Sequence, residues 1–148
     1  MSTSDAPPLE FTHRVRDSCL CLHVQRAARA LARRFDDALR PIGLTQGQFS
    51  LLTSLNRPEP PTIGSVSALL AMDRTTLTAN LKPLERRGLI KIAVDKEDRR
   101  GRRLSLTARG KALLSAAAPI WIKTHFETER LLTENSPDAL RSGLRALS

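Results

Sequence analysis

Asp73-Arg74-Thr75-Thr76-Leu77-Thr78-Ala79-Asn80-Leu81-Lys82-Pro83-Leu84-Glu85-Arg86-Arg87-Gly88-Leu89-Ile90-Lys91-Ile92-Ala93-Val94 is the stretch that decides the fold. Its first half places leucine at 77, 81 and 84, the four- and three-residue steps of one helix face. Asp73 stands where an N-cap belongs, and Gly88 where a helix stops. The second half changes period. Ile90, Ile92 and Val94 alternate with Lys91 and Ala93, the pattern of a half-buried strand. A charged loop follows from Asp95 to Arg103, and Leu104-Ser105-Leu106 reads as the returning strand. A short helix feeding a two-stranded hairpin with a long basic tip is the second half of a winged helix-turn-helix.

Upstream, Thr62 is placed to cap a short helix carrying Ile63, Val66, Leu69 and Leu70. Thr45 similarly opens a helix with Phe49, Leu51, Leu52 and Leu55. Between them, Pro58, Pro60 and Pro61 enforce a loop. From about Thr12 to Arg40, Leu20, Val24, Leu31, Phe35 and Leu39 share one face of a long amphipathic helix that Pro41 and Gly43 end. Residues 1–11 read as a flexible N-terminal arm. Downstream, Thr107 caps a helix containing Leu113, Leu114, Ala117, Ile120 and Trp121, with a kink expected at Pro119. Ser136-Pro137-Asp138 opens a last helix bearing Leu140, Leu144 and Leu147. The fold expected is mainly α with a small two-stranded β wing. Its DNA-binding lobe spans about 45–106, and its dimerisation helices span about 12–40 and 107–148. The terminal helices have too little domain around them to bury their apolar faces, which points to a homodimer.

The chain has 148 residues, enough for one domain with a real core. Its 24 Lys and Arg against 15 Asp and Glu leave a net charge of +9, which suggests a polyanionic partner. Lys82 to Lys111 holds eleven Lys and Arg against four Asp and Glu, seven of those nine net charges. A spanning helix needs about 20 apolar residues. The longest uncharged apolar run, Ala112 to Ile122, is shorter and contains Ser115 and Pro119. The polar N-terminus has no signal-peptide pattern. The expectation is therefore a cytoplasmic protein with no membrane partner. There is no phosphate loop, no Gly-x-Ser-x-Gly and no apolar acid pair, so an enzyme is not expected, and neither is a cofactor.

On the wheel that buries Leu77, Leu81 and Leu84, residues Thr75, Ala79, Lys82 and Arg86 lie opposite, flanked by Thr78 and Asn80. Hydroxyls, an amide, a methyl and two cations suit base edges and phosphates. The wing tip carries Arg99, Arg100, Arg102 and Arg103, which suit the narrow minor groove. Asp98 among them suits a structural role, holding an arginine fork in place. The rival reading is charge-only binding of nucleic acid. With aromatics at 3%, single-strand binding by base stacking is disfavoured.

These strings resemble the MarR family of bacterial transcription regulators. The resemblance rests on Asp73-Arg74-Thr75-Thr76-Leu77-Thr78, Leu84-Glu85-Arg86-Arg87-Gly88-Leu89-Ile90 and Asp95-Lys96-Glu97-Asp98-Arg99-Arg100. Leu104-Ser105-Leu106-Thr107-Ala108-Arg109-Gly110 and Ile42-Gly43-Leu44-Thr45-Gln46-Gly47-Gln48-Phe49 add to it. It covers about residues 12–147. It implies a homodimer with intertwined terminal helices on a near-palindromic duplex operator. It assigns the wing arginine to Arg100 with Asp98 as its partner, and recognition contacts to the Arg74–Lys82 region, Thr76 among them. Members commonly carry arginine just after the position of Thr78. Here Ala79-Asn80 follow, so a base preference is not carried over.

The resemblance also implies a sensor. Family members commonly respond to a small phenolic or aromatic acid, for which the candidates are His23, Phe49, Trp121 and His125. Core packing for the aromatics and surface positions for the histidines are the plain alternatives. A hydroperoxide-sensing branch uses a cysteine early in the first helix, where Cys21 is the positional match and Cys19 its neighbour. The chain lacks the tyrosines of that branch, and at the edge of the apolar face Cys21 equally suits a small buried hydrophobe. On a helix, side chains two apart diverge, so no Cys19–Cys21 bridge and no metal site are expected.

Overall fold

The computed structural model describes residues 6–148. Five of its helices begin on the side chains that the sequence marks. Thr45 Oγ1 accepts from Gln48 N (3.2 Å) while Gln48 Oε1 accepts from Thr45 N (3.1 Å), a reciprocal cap on α3 (Gln46–Ser54). Thr62 Oγ1 accepts from Ser65 N on α4 (Ile63–Leu70). Asp73 accepts from both the Thr76 amide (2.8 Å) and its hydroxyl (2.7 Å) on α5 (Arg74–Arg86). Those two donors hold the Asp73 carboxyl below the usual aspartate range. Thr107 caps α6 (Ala108–Glu129) through Gly110 N, and Ser136 caps α7 (Pro137–Ala146) through Ala139 N. The α6 helix runs on through Pro119.

The first helix differs from the sequence expectation in two ways. It starts at Leu9, so residues 9–11 of the expected arm are helical, while residues 1–5 of that arm lie outside the described residues. It is also two helices, α1 (Leu9–Ser18) and α2 (Leu20–Leu39), because Cys19 leaves the helical region with φ −73° and ψ 110°. Cys19 Sγ accepts from Leu22 N at 3.5 Å, so a thiol takes the place of a hydroxyl N-cap.

Strands β1 (Ile90–Val94) and β2 (Arg102–Leu106) pair antiparallel, with Ile90 opposite Leu106 and Ile92 opposite Leu104. The loop before α4 adds a third edge. Leu104 N donates to Pro61 O at 2.9 Å, and Thr62 bridges Arg103. Between α4 and α5 the chain turns through Ala71, whose φ is +49°, and Met72 N returns to Ser67 O.

Leu39, Leu52, Val66, Leu77, Leu81, Leu84 and Leu104 are all fully buried in one core that joins α2 to α6 and the hairpin. Removing these side chains from water is the main drive for the lobe. The ends of the chain are built differently. No residue of α1 or α7 is buried. Leu9, Phe11, Val15, Leu20, Val24, Phe126, Leu140, Leu144 and Leu147 all stand exposed. Among the described residues no helix is long and apolar enough to cross a membrane.

Candidate nucleic-acid interface

The orientation of α5 follows from its core contacts. With Leu77, Leu81 and Leu84 at 0% exposure, the helix has one rotation left, and it turns Arg74, Thr75, Thr76, Thr78, Ala79, Asn80, Lys82 and Arg86 to solvent. Each of these eight is exposed, and Glu85 is the one acid among the exposed residues of the helix.

The hairpin then sets a cationic tip beside α5. Its turn is closed by Asp95 N donating to Gly101 O (3.1 Å) and Gly101 N donating to Asp98 O (2.8 Å). The two aspartates act on the backbone. Asp95 Oδ1 accepts from Glu97 N and Asp98 Oδ1 from Arg100 N, both at 3.1 Å. Asp98 therefore shapes the turn through the Arg100 amide and does not hold the Arg100 guanidinium. The arginine fork expected of Asp98 belongs to Asp95, whose Oδ2 lies 3.2 Å from Arg103 Nε. Arg103 Nη1 also donates to Pro60 O at 2.9 Å. The Asp95 carboxyl is buried and sits below the usual aspartate range, first because Glu97 N–H bonds its charged form and then because Arg103 lies beside it.

The four wing arginines thus divide. Arg103 is turned inward as a brace between hairpin and loop. Arg102 Nη1 is tethered to the carbonyls of Arg99 and Gly101. Arg99 and Arg100 are exposed and, among the described residues, their guanidinium groups have no hydrogen-bond or ion-pair partner. A groove of about 410 Å³ separates wing from helix, with Arg74 and Thr78 on one side and Arg100 and Arg102 on the other. Asp95 is the residue that sequence reasoning missed. Its signal was weak, since only the spacing to Gly101 marks it as the first residue of the hairpin turn.

The four sensor candidates do not gather at one place. Phe49 and Trp121 stack with ring centroids 6.2 Å apart and planes at 19°, and Trp121 stacks on His125 at 4.5 Å and 8°. With Leu31, Phe35, Gln46 and Ser50 they line a cavity of about 400 Å³ between α2, α3 and α6. His125 Nε2 lies 2.9 Å from Glu129 Oε1, and Arg141 of α7 reaches the same carboxylate at 2.7 Å. Arg141, more than His125, holds the Glu129 carboxyl below its usual range. His23 lies apart, its Nδ1–H donating to Cys19 O at 2.8 Å on the flank of α2 that carries Arg26, Arg29 and Arg33. Cys21 is exposed, not a buried hydrophobe, and its Sγ accepts from Gln25 Nε2 at 3.2 Å. Cys19 sits in the break between helices, so the two cysteines do not share one helix.

A helix-turn-helix whose second helix is followed by a basic hairpin defines a winged-helix DNA-binding protein. The sequence model of the MarR family matches residues 44–101, the span from α3 to the wing turn. The chain is 30% identical over 111 residues to the organic hydroperoxide resistance transcriptional regulator of Bacillus subtilis, covering 75% of this chain and 76% of that protein. It superposes on the transcriptional regulator MosR of M. tuberculosis, solved in complex with DNA, with a TM-score of 0.80 and 35% identity over 88% of this chain and 93% of the other. The transcriptional repressor CouR, bound to a 23-mer DNA duplex, matches with a TM-score of 0.78 and 29% identity, over 90% and 94% of the two chains. The chain belongs to the MarR family of DNA-binding transcriptional regulators.

Proposed function

We propose that the protein is a cytoplasmic, homodimeric repressor that binds a near-palindromic duplex operator. The observation that carries this reading is the exposed face of α5, which bears Arg74, Lys82 and Arg86 against the single acid Glu85, running into an arginine-tipped wing. Residues Thr75, Thr76, Thr78, Ala79, Asn80 and Lys82 face base edges in the major groove. Arg74 and Arg86 meet phosphates, and Arg99, Arg100 and Arg102 enter the minor groove. Residues 45–106 form the DNA-binding lobe. Helices α1, α2, α6 and α7 supply the dimer contact, since their exposed leucines and phenylalanines form a patch too extensive for a monomer's surface. MosR and CouR, similar over most of their length, were both solved on DNA, and CouR is a repressor.

The aromatic cavity is the release site. Trp121 and Phe49 offer faces for a planar ring, and His125, Gln46 and Ser50 offer polar groups at its rim. Genomic footprinting with and without candidate aromatic acids tests both halves. Discrete protected sites that are lost on ligand addition support the reading. Uniform, sequence-independent protection contradicts it and favours charge-only binding.

Thiol control is the second reading. Cys19 caps α2 at a break in the chain, Cys21 is exposed beside it, and the Bacillus subtilis relative is a hydroperoxide resistance regulator. Peroxide-induced release from DNA that is lost in both Cys19→Ser and Cys21→Ser supports it. Release that survives in both contradicts it.

A further inference from the structure

Polar and charged groups surround the exposed face of α5, but the middle of that face is apolar. Ala79 is exposed and stands opposite the buried Leu77, Leu81 and Leu84. Pro83 follows one turn later on the same flank, half-exposed, in a helix that continues to Arg86. A proline in a helix interior removes a backbone hydrogen bond, so α5 carries this ring against its own helix propensity. Thr75, one turn before Ala79, is exposed and presents a methyl beside its hydroxyl. The nearby donors are turned elsewhere. Thr76 Oγ1 donates to Asp73 Oδ2 at 2.7 Å, and Asn80 Nδ2 donates to Met72 Sδ at 3.7 Å, back toward the turn that precedes α5. Thr78 lines the groove against the wing. The centre of the face is therefore a β-methyl and a pyrrolidine ring one turn apart, with neither a side-chain donor nor a charge.

We propose that Ala79 and Pro83 determine base specificity by packing against the C5-methyl of one thymine in each half of the operator. This deepens the duplex-binding reading above and rests on it. In the major groove thymine is the base that presents a C5-methyl, and apolar side chains read it. Guanine is read by arginine or lysine and adenine by asparagine or glutamine, and position 79 supplies none of these. Arg74 and Arg86 hold the helix on the phosphates, contacts that carry no sequence information. The apolar pair then distinguishes thymine from cytosine by one buried methyl. Neither side chain has rotamer freedom to lose on binding, and the contact involves no charge.

The test uses a duplex enriched by the full-length protein from a random-sequence pool, synthesised with each thymine in turn replaced by deoxyuridine. That change deletes the methyl and keeps every hydrogen-bonding group of the base. Fluorescence anisotropy should find one thymine per half-site whose replacement weakens binding about fourfold, the size of one buried methyl, and about fifteenfold when both half-sites are changed. The slope of log affinity against log salt stays that of the unmodified duplex, because no phosphate contact is lost. Ala79→Ser and Pro83→Ala both suit a helix, and in each the penalty at the same thymine falls below about twofold. A series in which no deoxyuridine weakens wild-type binding, or a penalty undiminished in either variant, overturns the proposal while leaving duplex binding intact. A wild type that binds no duplex overturns the duplex-binding reading itself. If one variant loses its fold, as its Tm would show, the other variant and the wild-type series decide.

Discussion

The seam between wing and α6 offers the sharpest test of packing. Gly110 is buried in the first turn of α6 and faces the backbone of Leu89, where β1 begins. A Cβ at 110 would lie 2.0 Å from Leu89 O, 3.0 Å from Leu89 C and 3.4 Å from Leu106 Cδ2. The obstacle is a carbonyl, not a side chain that can swing away. That carbonyl accepts from Thr107 N at 3.1 Å, and Thr107 Oγ1 donates to the neighbouring Gly88 O at 2.6 Å. Relieving the clash in Gly110→Ala means moving main chain by about 1 Å or more. Overpacking of this kind costs about 1–3 kcal/mol. Losing the Thr107–Leu89 bond adds about 1 kcal/mol, while alanine returns about 0.5–1 kcal/mol of helix propensity. The net loss is about 2 kcal/mol, or a Tm lower by about 4–8 °C for a chain this long. Gly143→Ala is the control, since nothing lies within 4 Å of a Cβ there, and its Tm should hold or rise. Differential scanning calorimetry of the three proteins decides the matter. A Gly110→Ala Tm equal to or above the wild type would refute the close approach of α6 to β1.

Three further outcomes follow from the same geometry. Arg100→Ala weakens footprinted and random duplexes alike and lowers the salt slope by about one per lobe, read by anisotropy; unchanged binding removes the wing from the mechanism. The folded Asp95 carboxyl titrates below the ordinary value of 3.8, so its contribution is present above that pH and is lost as pH falls further. The Glu97 amide should therefore keep its protection from exchange, relative to its intrinsic rate, through the ordinary aspartate range and lose it only at more acid pH, whereas Asp95→Ala should lack that protection already at neutral pH; equal protection in the two proteins contradicts the brace. Leu140→Glu with Leu144→Glu places two charges on the exposed face of α7 and should yield monomers in analytical ultracentrifugation, with operator affinity falling by more than tenfold. A dimer that survives both charges would exclude α7 from the interface.

Much of the fold is legible in the sequence because its signals are local. Thr45, Thr62, Asp73, Thr107 and Ser136 each bond an amide three residues ahead, so a short window contains both partners. The leucines of α5 declare their face by spacing alone. The break at Cys19 was hidden for the opposite reason. Cysteine is no helix breaker, and the apolar period runs across it, so only the observed backbone reveals two helices. The exposure of Cys21 follows from packing around α2 that no window of sequence contains. The wing was readable as a hairpin, yet its brace was not. Arg103 reaches Pro60 across 43 residues of chain, and choosing Asp95 over Asp98 as its partner requires knowing where the turn folds back. Gly110 shows the same limit. Its φ is not positive, and the carbonyl it admits comes from a distant element. The sensor candidates divided for a similar reason. Phe49, Trp121 and His125 meet where α3 crosses α6, while His23 rides the other flank of α2.

The most direct measurement is the salt dependence of binding by purified protein to a footprinted duplex and to a random one, with stoichiometry read in the same titration. Two cationic lobes reading base edges predict one dimer per site, a steep negative slope for both duplexes, and a preference for the footprinted site that persists as salt rises. Affinities that converge on one value with increasing salt, or a slope near zero, would contradict the account.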